Sequence, residues 1–254
     1  MQHRHLWLGR VLRRLGDRIA TGEGTIKQGP AAGLRIDATG RMPGYVVGTA
    51  DYAEQVWLAE NLKAGQTFYD IGANIGFFTL LGARLVGERG AVVAFEPLPE
   101  NISQLERNVA LNGLTTVMVV PAAVADSETN EATFWLGADA DARDTGRLAG
   151  ERPEGGTIRV PVTTLDSALV GYALPHPSMV KIDVEGEEVA VLRGGLETIR
   201  TCRPLLLVEV HWIGRAFTDF VATELAPLGY RAETISGEPL PSGSSRFHAA
   251  LYPV

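Results

Sequence analysis

An open α/β fold built on a mainly parallel sheet is predicted by three observations. Short β-branched apolar runs alternate with longer helical patterns from Thr67 onward, the arrangement that strand–helix–strand crossovers produce. The strand candidates are apolar almost throughout, as strands are when helices cover both faces of a sheet. A glycine-rich break, "DIGANIG" at 70–76, joins the first of these strands to the first helix, at the end of the sheet where open parallel sheets bind ligands.

The strands are read, in order, at "TFYDI", "AVVAFE", "VMVVPA", "SMVKID" and "PLLLVEV". Helical patterns fill 77–86, 100–112, 187–201 and 217–228. Asn112-Gly113 and Gly229 end two of them with residues that tolerate positive φ. The alternation is interrupted by "EATFWLG" and "TIRVPVTTLDSAL", read as an inserted β excursion at about 131–163. The Gly-, Asp- and Arg-rich stretch between them, 137–156, is expected to be a mobile loop near the site. "YRAETIS" and "RFHAALYPV" flank a Pro/Ser/Gly turn and predict a terminal hairpin.

At 254 residues, 45% hydrophobic and 21% charged, the chain has material for one α/β domain with a short extension. A net charge of -7 argues against a nucleic-acid partner, because such affinity comes from clustered Lys and Arg. The single cysteine, Cys202, excludes an internal disulfide and a multi-cysteine zinc site, so a reducing, cytoplasmic location is expected. No apolar run approaches the roughly 20 residues that span a bilayer, and the N-terminus lacks a signal-peptide core. Residues 1–50 are read as a basic helix and lead-in. Leu8, Leu12, Leu15 and Ile19 fall at helical spacing, with Arg10, Arg13, Arg14 and Arg18 mostly off that stripe. Such a helix suits plain packing with a solvated basic face, a lid over substrate, an oligomer contact, or peripheral contact with an anionic membrane.

Gly72 and Gly76 let the backbone turn sharply and approach a ligand closely. The helix from Phe77 points its free N–H groups at the same space. A dinucleotide fold would place G-x-G-x-x-G and a pyrophosphate here. This run is G-x-N-x-G, and Asp70 before it repels a pyrophosphate and suits a cationic ligand. S-adenosylmethionine carries both an ammonium and a sulfonium. Glu96, about twenty residues further on, is placed to accept from ribose hydroxyls, a feature shared by both cofactor classes.

"FYDIGANIGFFTL", "VVAFEPLPENISQLERNVALN", "VPVTTLDSAL" and "MVKIDVEGEEVAVLRGG" together resemble the FkbM family of S-adenosylmethionine-dependent methyltransferases, over about 51–211. The resemblance implies a Rossmann-like class I methyltransferase fold, a seven-stranded sheet with the last strand antiparallel, occupying 51–254. It also implies methyl transfer, usually to a hydroxyl of a saccharide or natural product. Asp70, Gly72, Asn74 and Gly76 match the motif around the methionine part of the cofactor, and Glu96 matches the ribose ligand. "AAVAD" matches the segment along the adenine, which makes Ala123 and Asp126 candidate contacts.

Transfer to oxygen requires an acceptor held in line with the methyl and removal of its proton. "KIDVEGEE" supplies Asp183 and Glu185, and "VEVHW" supplies Glu209 and His211, each pair near a strand end. The favoured arrangement has His211 as general base, with Asp183 and Glu185 orienting cofactor and acceptor. The other has a divalent cation on Asp183, Glu185 and Glu209 lowering the pKa of the acceptor hydroxyl. Lys181 shares a face with Asp183 and is expected to pair with Asp183 or Glu209. Glu187 and Glu188 are read as helix-start carboxylates, and Tyr52 and Glu54 either as within reach of the cofactor's methionine end or as the cap and exposed face of the helix they begin. No Asn/Asp-Pro-Pro-aromatic run follows the fourth strand, which favours oxygen over base nitrogen. Two further readings stay open: a nicotinamide-dependent oxidoreductase, which needs a third phosphate-loop glycine, and a non-catalytic cofactor-binding scaffold.

Overall fold

The computed structural model describes residues 22–136, 147–148, 156–243 and 246–254. The basic helix expected before residue 22, and most of the loop expected at 137–156, lie outside these residues.

A hairpin of β1 (Glu23–Thr25) and β2 (Arg35–Asp37) leads through the short α1 (Gly44–Val47) into α2 (Tyr52–Asn61). The sheet then begins with β3 (Thr67–Ile71), α3 (Phe77–Val86), β4 (Ala91–Phe95), α4 (Pro99–Leu111) and β5 (Val117–Val120). An inserted sheet follows, made of β6 (Ala123–Val124), β7 (Thr129–Leu136), β8 (Arg147–Leu148) and β9 (Gly156–Thr163) in the order β6-β9-β7-β8. The chain returns through α5 (Leu165–Gly171), β10 (Met179–Ile182), α6 (Glu188–Arg193), α7 (Leu196–Cys202) and β11 (Leu205–Val210). It closes with α8 (Gly214–Phe220), one π-helical turn (Val221–Leu225), β12 (Tyr230–Thr234) and β13 (Phe247–Pro253).

The main sheet has seven strands in the order β12-β13-β11-β10-β3-β4-β5, parallel except for β13, which runs against both neighbours. This is a class I methyltransferase topology. Successive residues serve opposite faces. Phe68, Met179, Leu207 and Ala250 pack under the lead-in hairpin, α2 and α3, while Tyr69, Val180, Val208 and Ala249 belong to the core on the other side. Ile26, Leu34 and Ile36 of the lead-in join the first of these cores. Among the described residues no helix is long and apolar enough to cross a membrane.

The helical pattern at 187–201 forms two helices rather than one. A Cβ on Gly194 would lie 2.0 Å from the carbonyl oxygen of Ala125, so the backbone of the adenine-side segment seats directly on that glycine. Gly195 restarts the chain as the N-cap of α7 and has no side chain to cap it. Asp166 of α5 takes over, accepting from Glu197 N at 3.2 Å and Thr198 N at 2.7 Å. Likewise the expected 217–228 helix starts earlier, at Gly214, and passes into the π turn. Gly194→Ala is expected to destabilise the fold by about 1–3 kcal/mol in denaturant unfolding, as overpacking does; stability equal to wild type would contradict the close seating.

Candidate active site

The connections after β3 and β10 leave these neighbouring strands toward opposite halves of the sheet, which opens a crevice beyond their carboxyl ends. Gly72 has φ 82°, and a Cβ there would lie 1.9 Å from Asp183 O. Only glycine lets the two strand ends pass so closely. Gly76, at φ 89°, turns the chain into α3. Together these ends border a cavity of about 350 Å³, a small-molecule size. Asp70 and Asn74 of the loop, Glu96, Ala123 and Phe134, Asp183 and Glu185, and Arg246 form its walls.

Glu96 is buried and accepts from Asn74 N at 2.8 Å, Leu98 N at 2.9 Å and Asn101 Nδ2 at 3.1 Å. Arg41 of the lead-in donates in turn to Asn101 Oδ1. A carboxylate accepts about four hydrogen bonds, so capacity remains for a ribose hydroxyl. Burial pushes the Glu96 carboxyl up to about 7 against these donors. Asp70 is also buried; Oδ2 accepts from Thr79 Oγ1 at 2.6 Å, while Oδ1 has no hydrogen-bond partner. An orphaned buried carboxylate oxygen on the cavity wall fits the cationic end of S-adenosylmethionine. Ala123 lies along the cavity. Asp126 does not: with its neighbour Ala125 seated on Gly194, its carboxylate turns to Arg193 at 3.4 Å.

Beyond the loop, Lys181 Nζ bonds Asp183 Oδ2 at 3.0 Å and sits 4.6 Å from the Phe78 ring centre. Burial pulls its pKa down, but Asp183, Glu54, Asp70 and Glu209 together push it above the ordinary lysine value. His211 is fully buried, with Nδ1 2.7 Å from Glu188 Oε1. Its Nε2 lies 3.5 Å from Glu209, 3.7 Å from Glu185 and 3.9 Å from Asp183. Burial opposes charge here too, yet these carboxylates raise the imidazole to about 10. The surrounding carboxylates thus favour the charged form of His211, the expected base, and that form accepts no proton. Of the expected metal ligands, Asp183 and Glu209 group with His211 within reach of one ion, while Glu185, 3.7 Å from His211 Nε2, does not come close to all three. Tyr52 is half exposed, whereas Glu54 is fully buried.

Arg246 and His248 were not singled out by sequence reasoning, and Glu188 was read only as a helix-start carboxylate. Glu188 accepts from Gly186 N at 2.9 Å as well as meeting His211. The tandem Glu187-Glu188 at a helix start hides which of the two turns inward. Arg246 donates to Glu209 Oε1, and His248 stands opposite Glu209 in the β11–β13 register.

Because folding raises the His211 pKa from 6.5 to about 10, its contribution to stability is full below pH 6.5 and is lost as pH rises through about 10. The melting temperature is expected to fall across that window. Histidine-selective NMR is expected to show one imidazole, missing from His211→Gln, still protonated where free histidines, with pKa about 6.5, are neutral. A complete titration near that value would contradict the buried imidazolium.

Residues 70–232 match the methyltransferase FkbM domain model. The chain is 24% identical over 177 residues to hexuronic acid methyltransferase AglP of Haloferax volcanii, covering 64% of this chain and 69% of that protein. It is 29% identical over 161 residues to methyltransferase sdnD of Sordaria araneosa, covering 53% of this chain and 62% of that one. The matched segments thus span about two thirds of each curated relative. An rRNA methylase structure from Streptococcus thermophilus aligns with a TM-score of 0.50 and 12% identity over 80% of this chain and 96% of that chain, a likeness of fold alone. Since the domain match runs from the glycine loop into β12, the chain belongs to the FkbM methyltransferase family, with S-adenosylmethionine as its cofactor.

Proposed function

We propose that the protein methylates a hydroxyl oxygen of a saccharide or small natural product. The observation that carries this reading is Glu185. Its carboxylate borders the cavity at the end of β10, with the side chain 15% exposed and the backbone held at φ 54°. Burial pushes it up to about 7, with the neighbouring His211 charge opposing. A hydroxyl must lose its proton as it takes the methyl, and a base with a pKa near the working pH serves that step well. The hexuronic acid in the name of the Haloferax relative supports a saccharide acceptor.

When bound, S-adenosylmethionine supplies a methyl group activated by its positively charged sulfur. The chain's own residues do the rest. Asp70 and Glu96 hold the two ends of the cofactor and fix its orientation. Glu185 takes the acceptor proton at its carboxylate, with the His211 imidazolium 3.7 Å away favouring the ionised form of that carboxylate against burial. Lys181 holds Asp183 in place beside them, so the acceptor meets a fixed wall.

Glu185→Gln is expected to lower kcat by about 100-fold or more, the usual contribution of a positioned base, while S-adenosylhomocysteine binds within about threefold of wild type. The acceptor screen runs over sugars, uronic acids and polyhydroxylated natural products, with NMR locating the transferred methyl. A methyl found on nitrogen or as a carboxylate ester, or full turnover by the variant, would overturn this reading.

A further inference from the structure

Behind the reacting groups, on the face of the sheet beneath α2, lies a second cluster that neither cofactor nor acceptor uses. Three distant segments build it. Glu54 comes from the first turn of α2, Glu209 from β11, and His248 from β13, where it is the direct ladder partner of Glu209. Glu54 and Glu209 are fully buried, and the His248 side chain is 25% exposed.

Four atoms here lack any hydrogen-bond partner: both carboxylate oxygens of Glu54, Glu209 Oε2 and His248 Nε2. A buried carboxylate left this way is costly, because it has lost its water without replacement. The neighbouring lysine and arginine make no hydrogen bond to these four atoms. Lys181 is bonded to Asp183, and Arg246 donates to the other oxygen of Glu209.

Distances narrow the choice of occupant. His248 Nε2 lies 3.4 Å from Glu54 Oε1, and Glu54, Glu209 and His248 each offer a ligand atom within 4.8 Å of the other two. A charge-assisted hydrogen bond would close to about 2.7–2.9 Å. Ligands about 2.0–2.2 Å from a tetrahedral ion stand about 3.3–3.6 Å apart. The spacing therefore matches ligands that share an ion better than ligands that bond each other.

We infer that Glu54, Glu209 and His248 form a binding site for a divalent transition-metal cation. One imidazole with two carboxylates suits Zn²⁺ or Mn²⁺, whereas Mg²⁺ and Ca²⁺ favour oxygen alone. The ion would tie the terminal hairpin to α2 and fix Glu209 behind the reacting layer. It shares Glu209 with the neighbouring group Asp183, Glu209 and His211, but there Asp183 is already bonded to Lys181, whereas both oxygens of Glu54 are unpartnered.

The test needs no turnover. The full chain, stripped with EDTA and returned to chelator-free buffer, is titrated separately with ZnCl₂ and MnCl₂ by calorimetry. One equivalent of at least one ion is expected, with a raised melting temperature. Glu54→Gln and His248→Gln are each expected to weaken binding by about tenfold or more. Pulsed EPR of Mn²⁺ on the wild-type chain, which avoids any folding defect of the variants, is expected to show one directly coordinated imidazole nitrogen. The absence of stoichiometric binding by either ion would overturn the site. So would a bound ion without nitrogen coupling, or a nitrogen signal lost in His211→Gln and kept in His248→Gln.

Discussion

The arrangement at the carboxyl ends of β3, β10 and β11 depends on one buried ammonium, Lys181. It stands in the middle of the sheet, paired in register with Asp70 on β3 and bonded to Asp183 two residues further along its own strand. A lone charge in such a place costs several kcal/mol. Four carboxylates, Asp183, Glu54, Asp70 and Glu209, surround it and offset that cost. The same lysine lets carboxylates from four different elements approach one another in a dry space, where they would otherwise repel.

One lysine does not balance four carboxylates, and the imbalance shapes the chemistry nearby. His211, bonded to Glu188 and close to Glu209, Glu185 and Asp183, is held in its charged form well above neutral pH. Glu185, on the cavity wall, experiences burial more strongly than the opposing His211 charge and is pushed up to about 7. Two groups a few ångströms apart thus both have their pKa values raised, with opposite effects on their charge. The histidine behaves as a fixed charge, and the carboxylate becomes the group able to take a proton at working pH. Asp70, held on one oxygen by Thr79, keeps its other oxygen for a cationic ligand.

Much of this was legible in the residues because it is local. Helix α3 begins and ends where Gly76 and Gly87 punctuate the sequence, so its limits agree with the pattern. Asp70, Gly72 and Glu96 sit at strand ends whose position follows from short apolar runs, and Lys181–Asp183 follows from strand alternation. What depended on distant neighbours was hidden. The break at Gly194 reflects the Ala125 carbonyl, about seventy positions earlier in the chain. The protonation of His211 reflects carboxylates from the turn after β10, from α6 and from β11 at once. Glu54 did leave a trace, since it falls on the same helical stripe as the buried Trp57 and Leu58. His248 left none, because its meeting with Glu209 depends on the register of the terminal hairpin.

The most direct measurement is the charge on Lys181 itself. The chain contains three lysines, Lys27, Lys63 and Lys181, and the first two are exposed. With lysine labelled at the ε carbon, NMR across alkaline pH reports each amine separately. The account predicts that two signals titrate near the ordinary value of about 10.4, while the third, absent from Lys181→Met, remains an ammonium beyond that pH. A Lys181 signal that loses its proton with the exposed pair, or before them, would contradict the claim that a permanent buried cation organises this site.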